Sequence, residues 1–264
     1  MILLRLFSRQ WILTTLLVIL AMGVMVRLGI WQLDRLEQRR AFNTRVQAQA
    51  DEPALDLQAA LASGSVTPGM LKDMEYREVV VVGEFDYSQE VALRNQAWEN
   101  QLGIHLYTPL KIDGLETGVL VNRGWVPFED FTEGRLDQYR EESRVEVRGI
   151  FRNSRQQPDI GRMQDPTPAP GGERLTSFAA ANVERIAMQI PYPVQPVYIQ
   201  QLPDPGREGL PHRVEHELVL TEGSHLGYAI QWFVFAMILG AGYPFFVRKE
   251  TAGEGKGKVY IKEG

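Results

Sequence analysis

Leu226 to Val247 reads LGYAIQWFVFAMILGAGYPFFV, twenty-two residues without a formal charge. An α-helix rises about 1.5 Å per residue, so roughly twenty residues cross a hydrocarbon layer of about 30 Å. A second stretch of that kind, Trp11 to Ile30 (WILTTLLVILAMGVMVRLGI), carries only Arg27, close enough to its end to snorkel into the headgroups. Trp11, Trp31, Tyr228, Trp232 and Tyr243 stand near the edges of the two stretches as candidate interfacial anchors. Pro244 falls near the end of the later one, where a lost backbone bond costs least. A cleaved signal peptide is the rival reading of the earlier stretch, with Arg5 and Arg9 as its basic region. Its A-x-A triplet, Ala48 to Ala50, lies too far downstream for ordinary processing.

The expected organisation is therefore a tail over residues 1–10, a membrane helix over 11–30, a domain over 31–224, a second membrane helix over 225–247 and a tail over 248–264. Four of the six lysines fall after the second helix, joined there by Arg248, whereas Glu215, Glu217 and Glu222 precede it. That asymmetry places both termini in the cytoplasm and the central domain outside, in a cell inner or plasma membrane. Arg35, Arg39, Arg40 and Arg45 follow the first helix and point the other way, but they belong to a loop far longer than the roughly 60 residues over which the charge rule holds.

The formal net charge of -5 and the lack of a basic stripe exclude a nucleic-acid partner. With no cysteine in the chain, disulfides, thiolate metal sites and a cysteine nucleophile are excluded as well. Trp31 to Arg45 continues the first helix as a charged segment, and a short amphipathic helix is expected around Leu55, Leu57, Ala60 and Leu61, closed by Gly64 and Pro68. Strands are expected over 77–85, 91–97, 104–112, 118–127 and 145–152, separated by Gly, Asp and Asn turns. Closing strands follow over 197–201 and 214–220, with an exposed Pro/Gly-rich loop over 156–172 and a helix over 177–188. The fold class is a membrane protein in which two transmembrane α-helices flank a mainly antiparallel β domain, barrel or sandwich-like, with minor helices.

Few patterns carry chemistry. His212, Arg213, Val214, Glu215 and His216 spell H-x-x-E-H, but a zinc protease needs both histidines one helical turn apart. Here the alternation of Val214, His216, Leu218 and Leu220 reads as a strand, which holds positions i and i+4 about 13 Å apart. Glu141 with Glu142, and Glu215 with Glu217, read as solvated surface, and His105 sits between Ile104 and Leu106 in a strand. No nucleophile elbow, phosphate-binding loop or dinucleotide fingerprint occurs, so no enzyme is expected. The segment around Asn122, Arg123, Gly124 and Trp125 is expected to be structural. Gly124 would allow a bulge or close approach, Trp125 would be buried, and Arg123 would need a carboxylate or carbonyl partner if enclosed. His225, Tyr228 and Trp232 share one helical face at i, i+3 and i+7. From spacing alone, His225 reads either as a cap or interfacial anchor, or as an axial ligand to a haem packed on the aromatic face.

Four motifs together resemble one family, the surfeit-locus (Surf/Shy) family of cytochrome oxidase assembly factors. They are Leu28-Gly29-Ile30-Trp31-Gln32-Leu33 with Arg35; Glu75-Tyr76-Arg77 through Gly83-Glu84-Phe85; Val121-Asn122-Arg123-Gly124-Trp125-Val126-Pro127, preceded by Thr108-Pro109-Leu110; and His225-Leu226-Gly227-Tyr228-Ala229-Ile230-Gln231-Trp232-Phe233. Gln38-Arg39 and Gln231 depart from the family's usual residues. The resemblance implies an assembly factor for a haem-copper terminal oxidase that binds haem a and assists its insertion into the catalytic subunit. His225 would be the axial ligand, Tyr228 and Trp232 would line the haem face, and no metal beyond the haem iron is implied. The implied partners are the oxidase catalytic subunit and haem a synthase. The alternative is a membrane-anchored scaffold that binds oxidase subunits and touches no haem.

Overall fold

The computed structural model describes residues 6–141, 144–158, 165–168, 172–206, 209–214 and 220–257, with residues 252–257 described by backbone alone. Its contacts divide the chain into two units, one made of residues 1–44 with 219–264 and the other of residues 45–218.

The first unit is a pair of long helices, α1 (Ile12–Ala50) and α6 (His225–Gly257). Both are long and apolar enough to cross a membrane. They run antiparallel, as cross-helix contacts show at successive levels. The Tyr243 hydroxyl lies 2.7 Å from Thr15 Oγ1, Gly240 faces Met22, Gly29 faces Phe233, and Gln32 meets His225. Beyond them Arg40 forms a two-pronged ion pair with Glu222 at 2.8 Å, and Asn43 donates to the Leu220 carbonyl at 3.1 Å. On α1 the facing positions recur every seven residues, through Thr15, Met22, Gly29, Leu36 and Asn43. On α6 they alternate four and three apart, through Ala229, Phe233, Ala236, Gly240, Tyr243 and Val247. This is a coiled-coil seam, and its small residues let the backbones approach as membrane helix pairs require. A Cβ on Gly29 would stand 2.7 Å from the Phe233 ring, and one on Gly240 2.7 Å from Met22 Cε. Tyr243, expected at the interface as an anchor, instead turns into the seam, where Thr15 passes its own proton to the Leu6 carbonyl at 2.7 Å.

The second unit is β-rich, and its strands fall close to the expected ranges. They are β1 (Leu55–Asp56), β2 (Glu78–Phe85), β3 (Val91–Trp98), β4 (Gln101–Ile112), β5 (Gly118–Pro127), β6 (Arg144–Asn153), β7 (Ser177–Phe178) and β8 (Val194–Gln201). The sheet order is β1-β2-β6-β8-β5-β4-β3-β7, and β2 also pairs with β4 through Gly83, Glu84 and Phe85. Strands β2, β6, β8, β5 and β4 therefore close a five-stranded barrel, the first of the two expected alternatives. All its pairs are antiparallel except β5–β8, which is parallel. Alternation fills the interior with Val79, Val81, Phe85, Leu110, Val119, Val121, Val147, Phe151, Val197 and Ile199. The amphipathic helix α2 (Leu57–Ala62) adds Leu57 to that core, capped by Asp56, whose side chain accepts from Ala59 N. A single turn, α3 (Pro68–Leu71), adds Leu71, and a short helix, α4 (Phe128–Thr132), follows β5.

The helix expected over 177–188 is corrected. Ser177 and Phe178 pair in parallel with Ala92 and Leu93 as β7, and only Val183–Ala187 is helical, as α5. Two local side chains divide the segment. The Asp165 carboxylate accepts from the backbone N–H groups of Ala179 and Ala180, which holds a turn there, and Asn182 caps the helix by accepting from Arg185 N. These elements cover the outer face of β5, which explains why that strand is buried on both sides. The closing strand expected over 214–220 lies largely outside the described residues.

Candidate functional site

His225 opens α6, and its imidazole is half-buried. Nδ1 stands 2.9 Å from Gln32 Oε1 on the facing helix. An amide oxygen only accepts, so in this contact Nδ1 is the donor, and in the neutral ring that leaves the lone pair on Nε2. The residue next to that edge is Gly223, at φ +68°, where a Cβ would sit 3.4 Å from His225 Cδ2 and 3.6 Å from Nε2. Glycine there serves the left-handed turn and keeps the free edge of the ring clear. At about 100° per residue, His225, Trp232 and Tyr228 step away from the seam along one flank of α6. Tyr228 is exposed and Trp232 half-buried, and the ring contact of Trp232 is edge-on to Phe235 rather than to the imidazole. The structure thus puts the three expected residues on one flank but brings His225 together with Gln32, a residue that spacing along α6 does not single out. Its signal is indirect: a lone amide three residues after Gly29, on the seam side of an otherwise apolar exit from the membrane stretch.

The remaining histidines lie in the other unit. His105 of β4 meets Asn122 Nδ2 at 3.2 Å. His212 makes a two-way backbone bridge with Trp125, at 2.8 and 2.7 Å, and its ring stacks 4.0 Å from that of Trp98. Glu215 and His216 of the H-x-x-E-H pattern lie outside the described residues. Among the described residues no cluster of His, Asp and Glu is arranged to hold a metal ion.

The Asn122–Trp125 segment has the expected structural character in detail. Leu106 pairs with Gly124 and Tyr107 with Asn122, so Arg123 is an extra residue bulged out of β5. The bulge turns its guanidinium into a fully enclosed site. There it meets Glu90 and Glu141, each at 3.1 Å, donates to the Tyr139 carbonyl, and lies between the rings of Phe85 and Tyr87 at 5.0 and 5.1 Å. Burial pushes the Glu90 carboxyl up, against the downward pull of the Thr108 hydroxyl and Arg123. Gly124, at φ +120°, is required because a Cβ would come 2.5 Å from the His212 carbonyl oxygen. Trp125 is 2% exposed and covers Gly103.

Comparison with known proteins agrees with the motif resemblance. The sequence model of the SURF1 family matches residues 19–237. The cytochrome oxidase assembly protein SHY1 of Saccharomyces cerevisiae is 33% identical over 102 residues, covering 39% of this chain and 25% of that protein. A SURF1-like protein of Rickettsia conorii is 25% identical over 247 residues, covering 90% of this chain and 93% of its own length. Surfeit locus protein 1 of Mus musculus is 30% identical over 114 residues, which is 38% of this chain and 35% of the mouse protein. The family match takes in most of α1, the start of α6 and all of the barrel, and the chain belongs to the SURF1 family.

Proposed function

We propose that this protein is an assembly factor for a cytochrome oxidase, and that it carries haem a as cargo on His225 for delivery to the oxidase catalytic subunit. Family membership and the likeness to SHY1, a cytochrome oxidase assembly protein, support the assembly function. The observation that carries the haem reading is the Gln32–His225 contact. A hydrogen bond to Nδ1 is the usual way a protein orients an imidazole whose Nε2 is to bind a metal. Tyr228 and Trp232 supply an apolar flank next to it, at the membrane edge where a macrocycle can rest against helix and lipid. Haem a synthase, as the source of the cargo, is the second partner of this scheme.

His225→Ala is expected to abolish or sharply reduce the haem retained on purification from cells that make haem a, while the protein still accumulates in the membrane. Wild-type stoichiometry and an unchanged Soret band in that variant would remove His225 as the ligand. A haem-free wild type would leave the scaffold function in its place.

Both termini belong on the cytoplasmic side in this scheme, with the barrel outside, because the lysine-rich tail follows α6 and acidic residues precede it. A reporter fused at Gly264 is expected to give a cytoplasmic signal, and one inserted at Pro168 an extracytoplasmic signal. The opposite pair of signals would reverse the topology.

A further inference from the structure

The outer wall of the barrel holds a polar cavity of about 230 Å³. Register assembles it. Tyr107 of β4 pairs with Asn122 of β5, Asn122 with Gln200 of β8, and Tyr198 of β8 with Arg152 of β6. Each of Asn122, Tyr198, Gln200 and Arg152 is one residue away from an inward-facing core residue, so strand alternation sends them all to the outer face. Arg155, exposed, joins the lining, whose described residues include both guanidinium groups and no carboxylate.

Arg152 is the unusual member. It is 6% exposed, yet among the described residues its five N–H donors make one long hydrogen bond, from Nη1 to Gln200 Oε1 at 3.4 Å. Its Nε is buried without a hydrogen bond. Glu75 Oε1 lies 3.5 Å from that nitrogen, but the Glu75 carboxylate already accepts from the backbone and side-chain amides of Asn153, at 3.4 and 3.2 Å. The Tyr76 ring, 4.6 Å away, offers a π face and no lone pair. A buried cation with most of its donors unspent is costly unless an anion completes it.

We propose that this cavity binds a small carboxylate anion, held by the Arg152 guanidinium with the Tyr198 hydroxyl beside it. The volume leaves room for a four-carbon dicarboxylate. The planar fork of a guanidinium matches a carboxylate two-pronged. The Glu75 charge beside Arg152 favours a singly charged head group over a dianionic phosphate, and Arg155, which has a partner of its own, adds positive charge at the mouth. Burial and the neighbouring Tyr198 push the Tyr107 hydroxyl well above its ordinary range, so no anionic tyrosinate opposes the ligand there.

The test is calorimetric titration of the purified full chain in detergent with succinate and, separately, with inorganic phosphate. Saturable succinate binding is expected, tighter than any phosphate binding. It should weaken by about ten-fold or more in Arg152→Gln. Arg148→Gln, which removes an exposed guanidinium paired with Glu78 outside the cavity, should leave it unchanged. Should Arg152→Gln fail to fold, Arg155→Glu changes only an exposed side chain at the mouth and is expected to weaken binding in the same direction. Absence of saturable succinate binding, a preference for phosphate, or wild-type affinity in the folded variant would each overturn the site.

Discussion

Replacing Arg123 with methionine is expected to destabilise the barrel unit by about 3–5 kcal/mol, the range for removing one partner of a buried ion pair. The guanidinium is fully enclosed, and the side chains of Glu90 and Glu141 facing it are 11% and 8% exposed. Methionine fills much of the volume between Phe85 and Tyr87 but leaves two carboxylates inside without their cation. Arg213, which meets Glu141 at 2.7 Å, still serves one of them, so the larger part of the penalty falls on Glu90. Burial already holds the Glu90 carboxyl above its ordinary value, so the folded protein binds that proton more tightly than the unfolded chain. Such a group stabilises the fold below the unfolded value, and the contribution is lost as pH rises through the folded one. Without Arg123 the shift grows, so the deficit of the variant should shrink on acidification towards the carboxylate range. Denaturant titrations at neutral and mildly acidic pH measure this. An unchanged midpoint at neutral pH would mean that the enclosed cation does not hold the fold.

Trp125→Ala is expected to cost about 3–5 kcal/mol, the range for deleting a buried large aromatic side chain. The ring packs 5.5 Å from that of Trp98 and lies over Gly103, where any side chain would collide with it. The alanine variant therefore leaves a hole lined by a residue with no side chain to collapse into it. Trp125→Phe should cost much less. The indole Nε1 is buried without a hydrogen-bond partner, so phenylalanine removes an unsatisfied donor along with part of the packing. Protease resistance of the two variants beside wild type separates these outcomes, and wild-type resistance in the alanine variant would show that the ring is not what holds β4 to β5.

The strands were readable in the sequence because each barrel strand carries its own alternation, as in Val79, Val81, Gly83 and Phe85. The need of Arg123, if enclosed, for a carboxylate or carbonyl partner was readable too, since an enclosed unpaired charge is costly. That Glu90 and Glu141 meet the need was not, because the pairing depends on where β3 and the chain before β6 come to rest. Residues 177–188 have helical spacing, but Asp165 competes for the backbone of Ala179 and Ala180 from outside the window that periodicity sees. The Gln32 partner of His225 was hidden for a similar reason. The sequence shows one face of each helix, while the seam is a relation between two. The Arg152 cavity depends on the insertion of β8 beside β5 in parallel, a pairing that no local turn signal announces.

That insertion has a consequence for how the chain reaches its fold. Strand β8 lies between β6 and β5, and among the described residues it is the last barrel strand. Until Val194–Gln201 has emerged, β5 and β6 each present a row of unpaired backbone groups, and the barrel cannot shut. A polypeptide that stops anywhere between Asn153 and Val194 therefore holds four of the five barrel strands in a form open to pairing with a neighbour, with Phe151 and Val121 uncovered on their inner faces. Completion of the barrel is a late event, dependent on contacts far apart in the chain, and such contacts are slow to form. Nascent or truncated chains of this protein carry a period of exposure to aggregation and proteolysis that the finished barrel ends in a single step.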